Sequence, residues 1–189
     1  ERKWIELLRD GGSWTHGSTP GRFAAAPDWH INLLAEPAFA GDALEYPLHL
    51  MPFESVGIGA GDESVNIWLQ ATPDPLTTVT WQTWVELNPA TARDLGVKRG
   101  DIVAVQTSEG EIEAAVYESP VVPPNVVGVP VGRGHTVGGR WREDRGVNVL
   151  GVLAPQIVAG ADGLAWAATR ARVRKTGDFR RLPTLEVIE

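Results

Sequence analysis

Cysteine is missing from all 189 residues. That excludes disulfides, zinc-thiolate sites, iron-sulfur ligation and a cysteine nucleophile within this chain. Basic residues are in deficit, with 17 Lys and Arg against 24 Asp and Glu and a formal net charge of -7. A broad phosphate-neutralising face needs the opposite balance, so no nucleic-acid partner is expected. No apolar run approaches the ~18 residues that would span a bilayer, and direct membrane insertion is not expected. The first residues carry no signal-peptide core. Three of the four histidines, His16, His30 and His49, lie in separate segments without helical His/Glu spacing, so no metal site is expected. The only methionine is Met51, and the opening Glu1-Arg2-Lys3 reads as a piece of a longer polypeptide or a processed chain.

Composition otherwise describes a folded protein, with 43% hydrophobic and 22% charged residues in a length suited to one domain plus an irregular arm. Trp4, Ile5, Leu7 and Leu8 share a helical face before Gly11-Gly12, predicting a short helix over residues 2–10. From Ser13 to Tyr46 the chain mixes Gly, Pro, Trp and His without periodicity, which suggests an arm that packs through isolated anchors such as Trp14, Phe23 and Trp29. Pro47–Phe53 and Val65–Gln70 read as buried strands. Asn88 as N-cap, Pro89 in the first turn and Gly96 as stop define a helix. A Gly100-Asp101 turn, strand Ile102–Thr107, a tight turn at Ser108–Gly110 and strand Ile112–Glu118 make a hairpin. Val126–Val131 is a further strand. In "LAWAATRARVRK" apolar and basic residues alternate, so its outer half is a strand with one basic face. Short strands, many turns and one well-capped helix describe a mainly β protein with short helices, a small barrel whose chemistry must lie in its loops. The eight tryptophans read best as core and interface anchors.

The stretch "VPVGRGHTVGGRWREDRGVNVLG", Val129 to Gly151, is the unusual one: an acidic chain here gathers Arg133, Arg140, Arg142 and Arg145 around His135 and a run of glycines. Two readings stand. The arginines can form bidentate bonds to a pyrophosphate that Gly132, Gly134, Gly138 and Gly139 let the backbone approach. Alternatively this is a solvated loop in which Glu143 and Asp144 balance two of the arginines. No Gly-Lys-Ser/Thr phosphate loop supports the first reading. His135 suits a hydrogen bond to a pterin or to backbone, and Asn148 suits a ligand or its own turn.

The ordered series Leu95-Gly96-Val97, Gly100-Asp101, Ile102–Thr107, Ser108–Gly110 and Pro120–Pro130 resembles the C-terminal domain of the dimethyl-sulfoxide-reductase family of molybdopterin oxidoreductases. The Val129–Gly151 stretch is similar to the version in the iron-sulfur and molybdopterin-like subunit of alternative complex III, a membrane-bound quinol-oxidising assembly, and in polysulfide-reductase-like proteins. The resemblance implies a double-psi β-barrel over residues 46–175, preceded by a helix and packing arm over residues 1–45 and followed by a tail over 176–189. It implies a domain without catalytic residues of its own, in which Gly134, His135, Arg140 and Asn148 contact molybdopterin guanine dinucleotide, with metal and clusters held elsewhere in the parent chain. It further implies that the partners are the remainder of the parent subunit and neighbouring electron-transfer subunits, at the periphery of a membrane-bound complex of the bacterial cell envelope.

The chain departs from the family pattern at two places. Met51-Pro52-Phe53-Glu54-Ser55 stands where relatives carry a threonine-glycine-arginine turn near a phosphate, and Asn148-Val149-Leu150-Gly151 lacks the threonine of an asparagine-x-leucine-threonine step. These departures, like the resemblance to alternative complex III, imply a cofactor-free member that serves as scaffold and interaction surface. A vestigial site should show Asn148 satisfying turn amides and arginines paired with carboxylates. A working one should aim Arg133 or Arg140 into an open cleft.

Overall fold

The computed structural model describes residues 2–12, 37–158 and 163–185. The chain divides into two compact units, residues 1–35 and 36–189. In the first, the apolar stripe and a Gly11 at φ 70° give α1 (Arg2–Asp10), on which Trp4, Ile5 and Leu8 are exposed. The expected arm falls largely on residues 13–36, outside the described residues, and so do its anchors Trp14, Phe23 and Trp29. Its described end does pack: Phe39 meets the His49 ring edge-on at 4.5 Å, and Ala40 bonds Ala168 and Arg170 backbone at 2.8 and 2.9 Å.

The second unit is a closed barrel of six strands: β1 (Leu48–Phe53), β2 (Trp84–Leu87), β3 (Asp101–Gln106), β4 (Glu111–Glu118), β5 (Val126–Pro130) and β6 (Thr169–Phe179). Around the barrel they run β1-β5-β2-β4-β3-β6. β1 pairs parallel to β5, with Phe53 opposite Pro130, and β2 pairs parallel to β4, with Trp84 opposite Ala115. β5 therefore lies between β1 and β2, while β2 lies between β5 and β4. Two pairs of consecutive strands are each split by a strand of the other pair, and these interlocked ψ connections make a double-psi β-barrel. Closure leaves no free sheet edge.

Alternation along the strands decides which side chains fill it. Leu50, Val85, Leu87, Val103, Val105, Val116, Val127 and Val129 form the interior, each fully buried. Valine suits this role because its branched Cβ packs on a pleated surface, and each such side chain contributes ~1.5–3 kcal/mol by leaving water. The opposite face of β2 builds a smaller external cluster, where Trp84 packs with Val79, Ile102, Ala115 and Leu182 and donates its indole N–H to Glu86 at 2.8 Å. β6 follows the alternation: Thr169, Ala171 and Val173 point inward, and Arg170, Arg172 and Arg174 outward. It continues to Phe179, and Leu182 beyond it is buried. Asn88 accepts from Ala90 N at 2.9 Å and caps α3 (Pro89–Asp94), as its sequence indicates.

Two elements differ from the sequence expectation. Val65–Gln70 is not a strand: a 3-10 turn (Asp62–Val65) leads into α2 (Ile67–Ala71), because the Asn66 carboxamide accepts from Trp68 N at 3.0 Å and starts a helical turn. The run is too short for its periodicity to separate the two states. Conversely, β2 has no counterpart in the sequence reading. All four of its residues are buried, so it lacks the alternation that marks a half-exposed strand.

Candidate functional site

The ends of the parallel strands β1 and β5 open on one end of the barrel, together with the entry to β2 and the β3–β4 turn. Three loops meet at this mouth: residues 54–66 after β1, 81–83 before β2, and 131–148 after β5. The third is folded onto itself, with Gly134 N bonding Arg145 O at 2.8 Å and Asp144 N bonding His135 O at 3.2 Å. Thr83 ties it to the barrel wall, its hydroxyl accepting from Val147 N at 3.1 Å and reaching Val147 O at 3.4 Å.

The glycines serve this loop-to-loop packing. A Cβ on Gly134, whose φ is 80°, would run into the backbone of Val147 and Asn148. One on Gly132 would stand 2.9 Å from Gly59 O and 3.0 Å from Gly61 N, where the first loop presses against the third. Gly139 differs, with open space around it and its N–H donating to Glu143 Oε1 at 2.9 Å.

The charged and polar candidates are largely engaged. Arg133 is 6% exposed, and its guanidinium donates to Gln70 Oε1. Burial lowers its pKa to about 10, which leaves it a cation at neutral pH. His135 Nε2 lies 3.3 Å from Gly132 O, and Arg142 Nη2 sits 3.0 and 3.2 Å from its two ring nitrogens. Asn148 accepts from Leu150 N at 3.1 Å and caps the 3-10 turn Val149–Val152. Arg140 is exposed, its guanidinium 4.2 Å from the centre of the Trp141 ring. The expected pairing of these arginines with carboxylates is not what holds them. Among the described residues the ion pairs are Arg9–Asp10, Arg174–Glu111 and Lys175–Asp101, and Glu143 bonds a backbone amide instead. Aromatic rings, an amide and an imidazole take the place of carboxylates.

Sequence reasoning missed the residue that organises the mouth. The Gln70 side chain, on α2 and 1% exposed as a residue, accepts from Arg133 and donates to Ser64 O at 2.8 Å and Trp141 O at 3.4 Å, while the Gln70 backbone carbonyl accepts from Trp81 N at 3.1 Å. No local signal marks a glutamine for such a role. Trp81 was equally illegible: at φ 60° it is a bulky residue held in the left-handed region.

Two small cavities lie near the mouth. One lined by Thr83, Glu113, Asp144 and Gly146 encloses about 90 Å³, and another beside Arg133 and Ser55 about 10 Å³. Among the described residues no group of three or more His, Asp or Glu is placed to hold a metal, and no helix is long and apolar enough to cross a membrane.

Residues 59–158, from the mouth loop after β1 through β5 and the arginine loop, match the model of the molydopterin dinucleotide binding domain. The chain belongs to that family. It is 26% identical over 184 residues to the menaquinone reductase molybdopterin-binding-like subunit of Nitratidesulfovibrio vulgaris (strain Hildenborough), an alignment that covers 90% of this chain and 24% of that one. This dinucleotide-binding-type domain thus spans about a quarter of the curated relative it matches. Acetylene hydratase from Pelobacter acetylenicus shares the fold, with a TM-score of 0.56 and 21% identity over 75% of this chain and 21% of that one.

The family implies a molybdopterin dinucleotide, and the mouth groups are only partly free to meet one: Gly139 has open space around it and Arg140 is exposed. The space that glycines would leave for a pyrophosphate is filled at Gly132 and Gly134 by the protein's own backbone. Arg133, His135 and Asn148 are held by internal partners. Of the residues nominated from sequence, Arg140 is exposed and is held only by its stacking on Trp141 among the contacts described.

Proposed function

We propose that this chain serves as the dinucleotide-binding-type domain of a larger oxidoreductase subunit, carries out no catalysis by itself, and acts there as a structural and interaction module. The family membership and the short coverage of the relative support the first part. A reading in which the domain helps bind molybdopterin guanine dinucleotide is the usual one for the family. One observation favours the cofactor-free version here: Arg133, His135 and Asn148, three of the groups that would meet the dinucleotide, already bond within the domain. A buried donor released to a ligand would leave Gln70 Oε1 without a partner, at a cost of ~1–3 kcal/mol that binding would have to offset.

On this reading the partners are the remainder of the subunit and its neighbours in a membrane-associated, quinol-oxidising electron-transfer complex of the alternative complex III type. Titration of the intact parent subunit with molybdopterin guanine dinucleotide tests it. The expected result is no saturable binding, together with a purified subunit that releases substoichiometric guanine nucleotide on acid extraction. Saturable micromolar binding abolished by Arg140→Ala would restore the cofactor-binding role.

A further inference from the structure

The arginine loop carries a ladder that the dinucleotide reading does not use. Arg140 lies over Trp141 at 4.2 Å, the Trp141 and Trp81 ring centres are 6.2 Å apart at 45°, and Arg145 lies 5.5 Å from the Trp81 ring. We propose that this Arg140–Trp141–Trp81–Arg145 ladder is the docking surface for an acidic segment of the larger subunit, from outside the 189 residues. The inference rests on the interaction-module reading above and names the chemistry of what that module holds.

Charge is the first argument. Four arginines stand in Arg133–Arg145 against Glu143 and Asp144, in a chain that is acidic as a whole, and none of these arginines reaches a carboxylate within 4 Å among the described residues. The second is an unfilled hydrogen-bonding requirement. The Nε–H groups of Arg142 and Arg145 are buried and have no partner, although a buried charged donor is costly to leave unbonded. The third is strain. The Trp81 backbone is held at φ 60° by its bond to Gln70 O, which turns the indole into the ladder.

Tryptophan and arginine are the residue types that dominate binding energy at protein interfaces, because rigid rings exclude water around a charge. The amides that would cradle a phosphate are already taken: Gly134 N bonds Arg145 O and Gly139 N bonds Glu143. Guanidinium groups spaced along an indole surface, with Val137 72% exposed in the same loop, suit carboxylate side chains carried on a peptide with apolar neighbours. The occupant is assigned to the same polypeptide because the curated relative devotes only 24% of its length to this domain.

The test uses the full-length subunit in its native complex. Arg140→Lys keeps the charge and supplies an amine, which a zero-length carbodiimide joins to any carboxylate in contact, forming an amide with loss of water. The expected product is a crosslink from position 140 to an Asp or Glu of the same polypeptide outside these residues. In parallel, Arg140→Glu should speed amide hydrogen exchange across residues 132–148 by about tenfold or more while leaving the barrel strands unchanged. Crosslinks confined to Glu143 or Asp144, a crosslink to a separate subunit, or unaltered exchange would overturn the proposal. Mass spectrometry of acid-released cofactor separates the two readings. A guanine dinucleotide that Arg140→Ala removes sinks the cofactor-free function, whereas absent cofactor with absent crosslink sinks only the docking surface.

Discussion

Two buried charges, at opposite ends of the barrel, are treated differently. At the end opposite the mouth Asp101, 6% exposed, accepts from Lys175 Nζ at 2.9 Å and from Lys98 N at 3.1 Å. At the mouth Arg133, also 6% exposed, is held by the neutral amide of Gln70. The first charge is compensated within the domain; the second is hydrogen-bonded but uncompensated. A chain that neutralises its carboxylate at one end and leaves cations at the other suits the acidic docking segment proposed for the mouth. This agrees with arginines stacked on rings instead of paired with acids.

The largest expected effect tests whether the mouth is a packed structure or a ligand cradle. Gly134→Ala combines a left-handed φ with a collision against Val147 and Asn148, and should destabilise the protein by about 3 kcal/mol or more. Gly139→Ala shares the unusual φ but meets nothing, and should cost about 1 kcal/mol. Urea unfolding followed by far-UV circular dichroism measures both. Equal costs would mean that the loop does not pack as tightly as described.

Next in size is the uncompensated cation. Gln70→Leu leaves the Arg133 guanidinium buried without its acceptor and should cost about 2–3 kcal/mol in the same measurement. A neutral outcome would show that water or another acceptor replaces the amide and that the two ends are less different than they look.

The Asp101 end should respond less and with a pH signature. Asp101→Asn should lose about 1 kcal/mol, the modest figure reflecting a Lys175 that stays partly in water. The Lys175 hydrogen bond holds the Asp101 pKa below its ordinary 3.8. Its stabilisation is therefore complete above pH 3.8 and lost as pH falls through the lower folded value, so wild type and variant should converge only in strong acid.

His49 gives the smallest effect. Burial, then Arg170, lowers its pKa from 6.5, and its Nδ1 is buried without a partner. The unfolded chain binds the proton more readily, so stability should decline by less than about 1 kcal/mol as pH falls through 6.5 towards the lower folded value. His49→Gln should flatten that slope in unfolding measurements between pH 7.5 and about 5.

The sequence by itself determined the features whose cause is local. Asn88, Pro89 and Gly96 bracket α3 because capping and φ preference act within one turn, and the alternation through Arg170–Arg174 marks the outward face of β6 because side chains of a strand alternate. The glycine and arginine content of residues 132–146 likewise marked the loop that became the candidate site. What the loop does with those residues was decided by tertiary structure. For His135 and Asn148 the sequence left a ligand contact and a local bond both open; the capture of Arg133 by Gln70 joins positions 63 apart, and the Trp81–Trp141 contact joins two loops that no periodicity relates. The same holds for β2, whose four buried residues become a strand only through parallel pairing with β4 and antiparallel pairing with β5. Nonlocal pairing supplies the hydrogen bonds that so short a segment cannot make alone, and it is why Ile67–Ala71, left unpaired, turns helical while Trp84–Leu87 extends.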